Sequence, residues 1–128
     1  MKKLLVYFTN KEFLKFLVVG CSSVCLDGLV YSLMLSLNSE LNLSKLVGFI
    51  SGSVLGFILN KTWTFRSAGN LFVQVISYIF LYTVSLWLNV QTNAFCLELT
   101  GLWWFSFLAA TTVSTVTNFM GMKFIIFR

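Results

Sequence analysis

The sequence predicts an all-α integral membrane protein of four transmembrane helices, built as two helical hairpins in a parallel repeat with both termini cytoplasmic. Three observations lead there. The 128 residues are 58% hydrophobic and 10% charged, with a mean hydropathy of +0.88, where a soluble domain carries about 25% charged residues. Uncharged runs of 31 residues between Arg66 and Glu98, and of 24 between Glu98 and Lys123, each exceed the ~20 residues that cross hydrocarbon. Finally, the chain repeats itself: Lys61, Phe65 and Arg66 close one long apolar run, and Lys123, Phe127 and Arg128 close another at a spacing of 62.

In chain order, residues 1–15 hold Lys2, Lys3, Lys11 and Lys15 against one acid, Glu12, which favours a cytoplasmic N-terminus. The short apolar run after Lys3 stops at Thr9, Asn10, Lys11 and Glu12 with no small-residue cleavage site, so this N-terminus is expected to be retained. Span one covers about 16–37, and from Phe16 to Ser39 its only charge is Asp27. An outer link of Asn38, Ser39, Glu40, Asn42 and Ser44 leads to span two, about 45–65. Ser67, Ala68, Gly69 and Asn70 read as an inner turn before span three, about 72–97. Glu98, Thr100 and Gly101 form the second outer turn, Trp103 and Trp104 stand where an aromatic belt belongs, and span four returns to Lys123 and Arg128. Eight cations then lie inside and one, Lys45, outside. Without proline and without strand-like alternation, helices are favoured over a barrel. The whole is one membrane domain, with repeats at about 13–66 and 72–128.

The spacing of 62 also holds inside the spans. Gly20, Ser23 and Asp27, on one face of span one, map to Tyr82, Ser85 and Asn89. On span two Ser44, Gly48, Gly52, Gly56 and Asn60 recur every fourth residue, and map to Ser106, Ala110, Ser114, Asn118 and Met122. Two spans per half require both halves to enter the bilayer from the same side, a repeat about an axis along the membrane normal, with a binding path expected between them. Small residues every fourth position allow close helix packing, within the unit or between two copies. They also leave room for a polar head group, with Asn118 as a polar rung where the first half has Gly56.

Asp27 is placed about eleven residues into its span, near mid-bilayer at 1.5 Å per residue. A charge there costs ~2.5 kcal/mol or more, so it should face protein or water. It is either a structural acid bonded by Ser23, Tyr31 or a polar residue of another span, or part of a substrate or proton path. Lys61 and Lys123 are each followed by further apolar and aromatic residues, about a turn inside the helix end, a depth that suits a lipid phosphate. Trp63, Arg66, Trp103, Trp104 and Arg128 read as membrane anchors, and on a continued helix Lys61 and Arg66 would diverge. Cys21 and Cys25 read as small apolar residues, and with no histidine in the chain no metal site, cofactor or catalytic constellation is expected. The net charge of +5 belongs to the membrane surface, and no nucleic-acid partner is expected.

The residues Phe13, Phe16 and Gly20 entering span one, Asp27 within it, Asn60, Lys61, Trp63 and Phe65 closing the first half, and Asn118, Phe119, Lys123 and Phe127 closing the second, resemble the GtrA-like family of small four-span membrane proteins. The resemblance runs from about Phe13 to Arg128, with Lys at 61 and 123 where the family usually has Arg, and Ile125 where it often has Trp. It implies translocation of a polyprenyl-phosphate-linked sugar, such as undecaprenyl-phosphate glucose, from the cytoplasmic to the outer leaflet of the bacterial inner membrane, for O-antigen, teichoic-acid or related cell-surface glycosylation. Substrate contacts would then come from Asp27, Asn60, Lys61, Asn89, Asn118 and Lys123. The implied partners are the sugar lipid, membrane lipids and a polyprenyl-phosphate glycosyltransferase of the same pathway, and four short spans favour a homo-oligomer. Two other readings compete: a non-transporting adaptor for a glycosyltransferase, and a small multidrug-type exchanger, which would use a lone acid on span one.

Overall fold

A computed structural model describes residues 11–128; Lys2, Lys3 and the expected retained N-terminus lie outside the described residues. Helix α1 spans Lys11–Ser36, α2 Leu41–Leu59, α3 Leu71–Thr100 and α4 Trp103–Gly121. A π-helical turn prolongs α2 over Asn60–Thr64, and a second prolongs α4 over Met122–Ile126. Among the described residues there is no strand. Shifting α2 and its π turn by 62 positions reproduces every boundary of α4 and the second π turn. The chain divides into two compact units that adjoin in sequence at Ser67 and Ala68.

Among the described residues three helices are long and apolar enough to cross a membrane: α1, α2 with its π turn, and α3. Helix α4 matches α2 in length, 19 residues, but is more polar, because Thr111, Thr112, Ser114, Thr115, Thr117 and Asn118 crowd its centre. Of the four spans expected, three stand as helices long and apolar enough to cross a membrane, and the fourth is a more polar helix.

The links within the two hairpins are shorter than the polar residues imply, each following an αL residue that ends the helix before it. Asn38 takes φ 59°, its N–H donates to the Leu35 carbonyl at 3.0 Å and the Ser39 N–H to Met34 at 3.1 Å, a Schellman arrangement. Helix α2 then starts at Leu41 and takes in Asn42 and Ser44, which the sequence had placed in the link. Likewise α3 runs through Glu98 to Thr100 before Gly101, at φ 66°, ends it with its N–H on the Leu97 carbonyl. At the start of the second unit's first helix, Asn70 caps α3 by accepting from the Val73 N–H at 3.1 Å.

In the first unit α1 and α2 run antiparallel and meet where side chains are smallest. A Cβ built on Gly52 would stand 2.5 Å from the Ser23 carbonyl oxygen and 3.2 Å from Asp27 Cβ; one built on Gly48 would stand 2.6 Å from Asp27 Oδ1 and 2.7 Å from its carbonyl oxygen. Gly48 and Gly52 are thus contacts within the hairpin, which decides between the two packing alternatives. Gly20, which the sequence had grouped on one face with Ser23 and Asp27, has nothing within 4 Å of a built Cβ and is exposed, so it lies off that interface. The second unit packs in the same register with bulkier residues: Ser85 Oγ donates to the Ser114 carbonyl at 3.3 Å, and Leu81 closes on Gly121. Buried positions recur at the same spacing, Phe16 with Tyr78, Phe57 with Phe119, Ser44 with Ser106.

Hydroxyls inside the helices are mostly satisfied locally. Ser44 and Ser106, both fully buried, donate one turn back, to the Glu40 carbonyl at 2.8 Å and the Leu102 carbonyl at 2.9 Å. Ser23, Ser51, Thr83 and Thr112 do the same. Such bonds let α4 keep its polar centre without presenting unsatisfied donors to lipid.

Gly48→Ala and Gly52→Ala should each destabilise the protein by about 1–3 kcal/mol through overpacking, whereas Gly20→Ala and Gly28→Ala, with open space around the built Cβ, should be neutral or stabilising by up to about 1 kcal/mol. Thermal melting of the detergent-solubilised variants checks this ranking.

Candidate functional site

The closing motifs of both units owe their shape to the π turns. After Leu59 the backbone widens, so that the Phe65 N–H donates to the Asn60 carbonyl five residues back at 2.9 Å, and the Ser67 N–H reaches the Lys61 carbonyl at 2.8 Å. The second unit repeats this with the Phe127 N–H on the Met122 carbonyl at 2.8 Å. An extra residue in the turn rotates the succeeding side chains by about 100° relative to an α-helix. Arg66 does not continue the helix: its φ is 50°, a left-handed conformation that ends the turn. The expectation of Lys61 and Arg66 diverging on a continued helix is corrected accordingly, the cause being the π turn and its cap.

Each π turn is pinned by the first turns of the preceding helix. Lys15 donates from Nζ to the Trp63 carbonyl at 3.4 Å and lies 5.2 Å over the Trp63 ring. Gln74, buried, donates from Nε2 to the Ile126 carbonyl at 3.2 Å. Nothing in the sequence singled out Lys15 beyond its charge, or Gln74 at all, because their roles depend on a backbone carbonyl freed by the widened turn.

Within this frame, Asn60 is 2% exposed and its Oδ1 has no hydrogen-bond partner. The same holds for Thr64 Oγ1, in a residue 4% exposed, and for Asn118 Oδ1 in the second unit. A buried acceptor left unpaired costs about 1–3 kcal/mol, and such atoms concentrate where a structure has work to do beyond folding. Lys61 and Lys123 are both half-buried. The Lys123 ammonium lies 5.6 Å from the Phe119 ring centre and 5.8 Å from that of Phe124, a placement that offsets part of its desolvation. Phe124 in turn lines an apolar groove of about 720 Å³ in the second unit, with Ile76, Phe80, Val84, Met120 and Ile125.

Two sequence-nominated residues lie elsewhere and have partners. Asp27 is bound by Lys45, whose Nζ is 3.0 Å from Oδ2 and 3.2 Å from Oδ1; Lys45 also lies 5.7 Å over the Tyr31 ring. Of the partners considered for Asp27, the polar residue of another span is the one realised, while the Ser23 hydroxyl goes to the Val19 carbonyl. Asn60 is twelve residues beyond Gly48 on the same helix, so Asp27 is displaced from the π turn by about 18 Å along the axis. Asn89 on α3 donates from Nδ2 to Ser114 Oγ at 2.9 Å, and Ser114 is one turn before Asn118 on α4, so the two helices share a short polar ladder. Trp63, Trp103, Trp104, Arg66 and Arg128, the residues nominated as membrane anchors, are all exposed.

Among the described residues no cluster of three or more His, Cys, Asp or Glu could hold a metal ion. The paired apolar hairpins and their cation-bearing ends define an integral, all-helical membrane protein. Over residues 15–127 the chain matches the family described as GtrA/DPMS, transmembrane domain, and it belongs to that family. Membership fits a membrane protein of polyprenyl-phosphate sugar pathways. No solved structure matches the chain.

The ion pair yields a test. Lys45 is 62% exposed and Asp27 only 18%, so Lys45→Met, which strands the acid, should destabilise more than Lys45→Met combined with Asp27→Asn. A double-mutant cycle on melting temperature should return a coupling of about 1 kcal/mol.

Proposed function

We propose that this protein is a non-catalytic translocator of a polyprenyl-phosphate-linked sugar from the cytoplasmic to the outer leaflet of the bacterial inner membrane. The observation that carries the reading is the Lys123 ammonium held against Phe119 and Phe124, the latter a wall of the apolar groove in the second unit. A cation beside an apolar groove matches a molecule with one anionic head and a hydrocarbon chain, which is the form of a prenyl phosphate. Lys61 offers the same charge at the equivalent position of the first unit, and both precede the anchors Arg66 and Arg128 by five residues. Lys is a point charge and contacts phosphate from a range of directions, which suits a head group that must be released.

In this proposal α4 serves as the fourth span, both termini are cytoplasmic, and Asn89 and Asn118 with Ser114 supply a polar ladder for the sugar. The multidrug-type exchanger is disfavoured, since it would use a lone acid on the first span and Asp27 is paired with Lys45. The adaptor reading gives no reason for the unpartnered carboxamide oxygens of Asn60 and Asn118.

Reconstituted vesicles loaded with a prenyl-phosphate sugar provide the test, read as protein-dependent appearance of the lipid on the far leaflet. Lys61→Gln and Lys123→Gln should each slow flipping at least tenfold, the effect of losing about 1.4 kcal/mol of a charge-assisted contact, and Arg66→Gln and Arg128→Gln should slow it much less. Equal effects at all four positions would return the lysines to an anchoring role, and absence of flipping by the folded wild type would remove the proposal.

A further inference from the structure

We propose that Thr64, acting with Asn60, forms a hydroxyl-reading site at the first π turn that binds the sugar of the lipid head group, an inference that rests on the function proposed above. Asn60 and Thr64 are four residues apart, 2% and 4% exposed, and each holds an oxygen without a hydrogen-bond partner. The widened backbone accounts for the state of Thr64. A helical threonine ordinarily donates to the carbonyl four residues back, as Thr62 does to Ile58 at 2.7 Å. For Thr64 that carbonyl belongs to Asn60, which the widened turn directs at the Phe65 N–H five residues on, 2.9 Å away, and Thr64 Oγ1 makes no bond to it. The same turn that shapes the helix end therefore leaves a buried hydroxyl unspent.

The chemistry of the two atoms selects the ligand. A carboxamide oxygen only accepts, so it requires a donor, and an ionised phosphate has none to give. A prenyl chain has neither donor nor acceptor. A sugar hydroxyl has both, and can donate to Asn60 Oδ1 while accepting from, or donating to, Thr64 Oγ1. The chain also carries its own control. At the equivalent positions of the second π turn stand Met122 and Ile126, 0% and 6% exposed, so a π turn of this shape packs with apolar residues and does not need the polar pair. The division of labour is then Lys61 for the phosphate and Asn60 with Thr64 for a sugar hydroxyl.

The experiment compares two probes, farnesyl phosphate and the same lipid bearing a hexose on its phosphate, binding to the full chain in nanodiscs. Thr64→Val should weaken binding of the hexose-bearing lipid about tenfold, the loss of one buried hydrogen bond, and leave farnesyl phosphate unaffected. Thr64→Ser should restore most of the loss. Asn60→Met with Thr64→Ile copies the second π turn, should fold with a near-normal melting temperature, and should bind both lipids alike. A loss shared equally by the two lipids, or no loss for either, would overturn the hydroxyl-reading role while leaving the translocator standing; failure of the wild type to bind either lipid would overturn both.

Discussion

The contact on which the first unit depends is the approach of α2 to α1 at Gly48 and Gly52, where a single added carbon would collide with the Ser23 carbonyl and with Asp27. In lipid there is no hydrophobic drive to push helices together, so van der Waals contact at short range has to hold them. That closeness has electrostatic consequences. It brings Asp27 within 3.0 Å of Lys45, whose flexible chain reaches along the helix while leaving its ammonium largely exposed. It also fixes the far end of α2 against the start of α1, where Lys15 meets the Trp63 carbonyl. The second unit reaches the same register through Ser114, which uses its hydroxyl and carbonyl for Asn89 and Ser85 where Gly52 uses only its lack of a side chain.

A π turn at the same place in each unit indicates that the helix ends are shaped, and not frayed. Its widened ring leaves carbonyls reachable from the side, and a side chain from the preceding helix takes one in each case, Lys15 at Trp63 and Gln74 at Ile126. The chain thereby ends each hairpin with buried aromatic and polar groups below a half-buried lysine, Asn60 and Thr64 in one unit, Phe119 and Met122 in the other. π turns interrupt a helix at some energetic disadvantage and persist chiefly where the altered side-chain direction is used.

Hydropathy and the spacing of 62 made the helical class, the hairpins and the doubled ends legible from residue types alone, because lipid permits so few backbone solutions. The stripe of Gly48 and Gly52 was legible as packing for the same reason. The Asp27–Lys45 pair was not: with Lys45 counted only as the outer cation, nothing local links residues eighteen apart across a turn. The π turns were invisible because a run such as Asn60–Phe65 has no proline or glycine to mark a change of period, and the difference of one backbone register is decided by tertiary contacts. Thr64 was missed in consequence. On an α-helix a threonine hydroxyl ordinarily bonds back to the carbonyl four residues before it, whereas in the widened turn Thr64 Oγ1 is unpartnered. Asn60 and Asn118, nominated for their type and position, do carry unpartnered oxygens, whereas Asp27 and Asn89 prove to be held by their own hairpins.

Compared at the spacing of 62, the two units agree at some positions and differ at others. Positions that make the hairpin, such as Phe16 and Tyr78, Ser44 and Ser106, or Phe57 and Phe119, stayed buried and close in size. Several positions that carry polarity differ: Asp27 stands opposite Asn89, Lys45 opposite Phe107, Asn60 opposite Met122, Thr64 opposite Ile126, and Gly56 opposite Asn118 in the comparison of one half with the other. If polarity served packing alone, a scaffold with matching boundaries would have no reason to place it at different depths in its two copies. Lys61 and Lys123 keep both type and position amid this divergence, as do Arg66 and Arg128 and the serine pairs at 23 and 85 and at 44 and 106. In the proposed reading each unit is taken by itself: the first has a lysine next in sequence to a polar helix end with buried unpartnered oxygens, chemistry for a phosphate that carries a polar group, and the second has a lysine against an aromatic wall of an apolar groove, chemistry for a phosphate that carries a hydrocarbon chain.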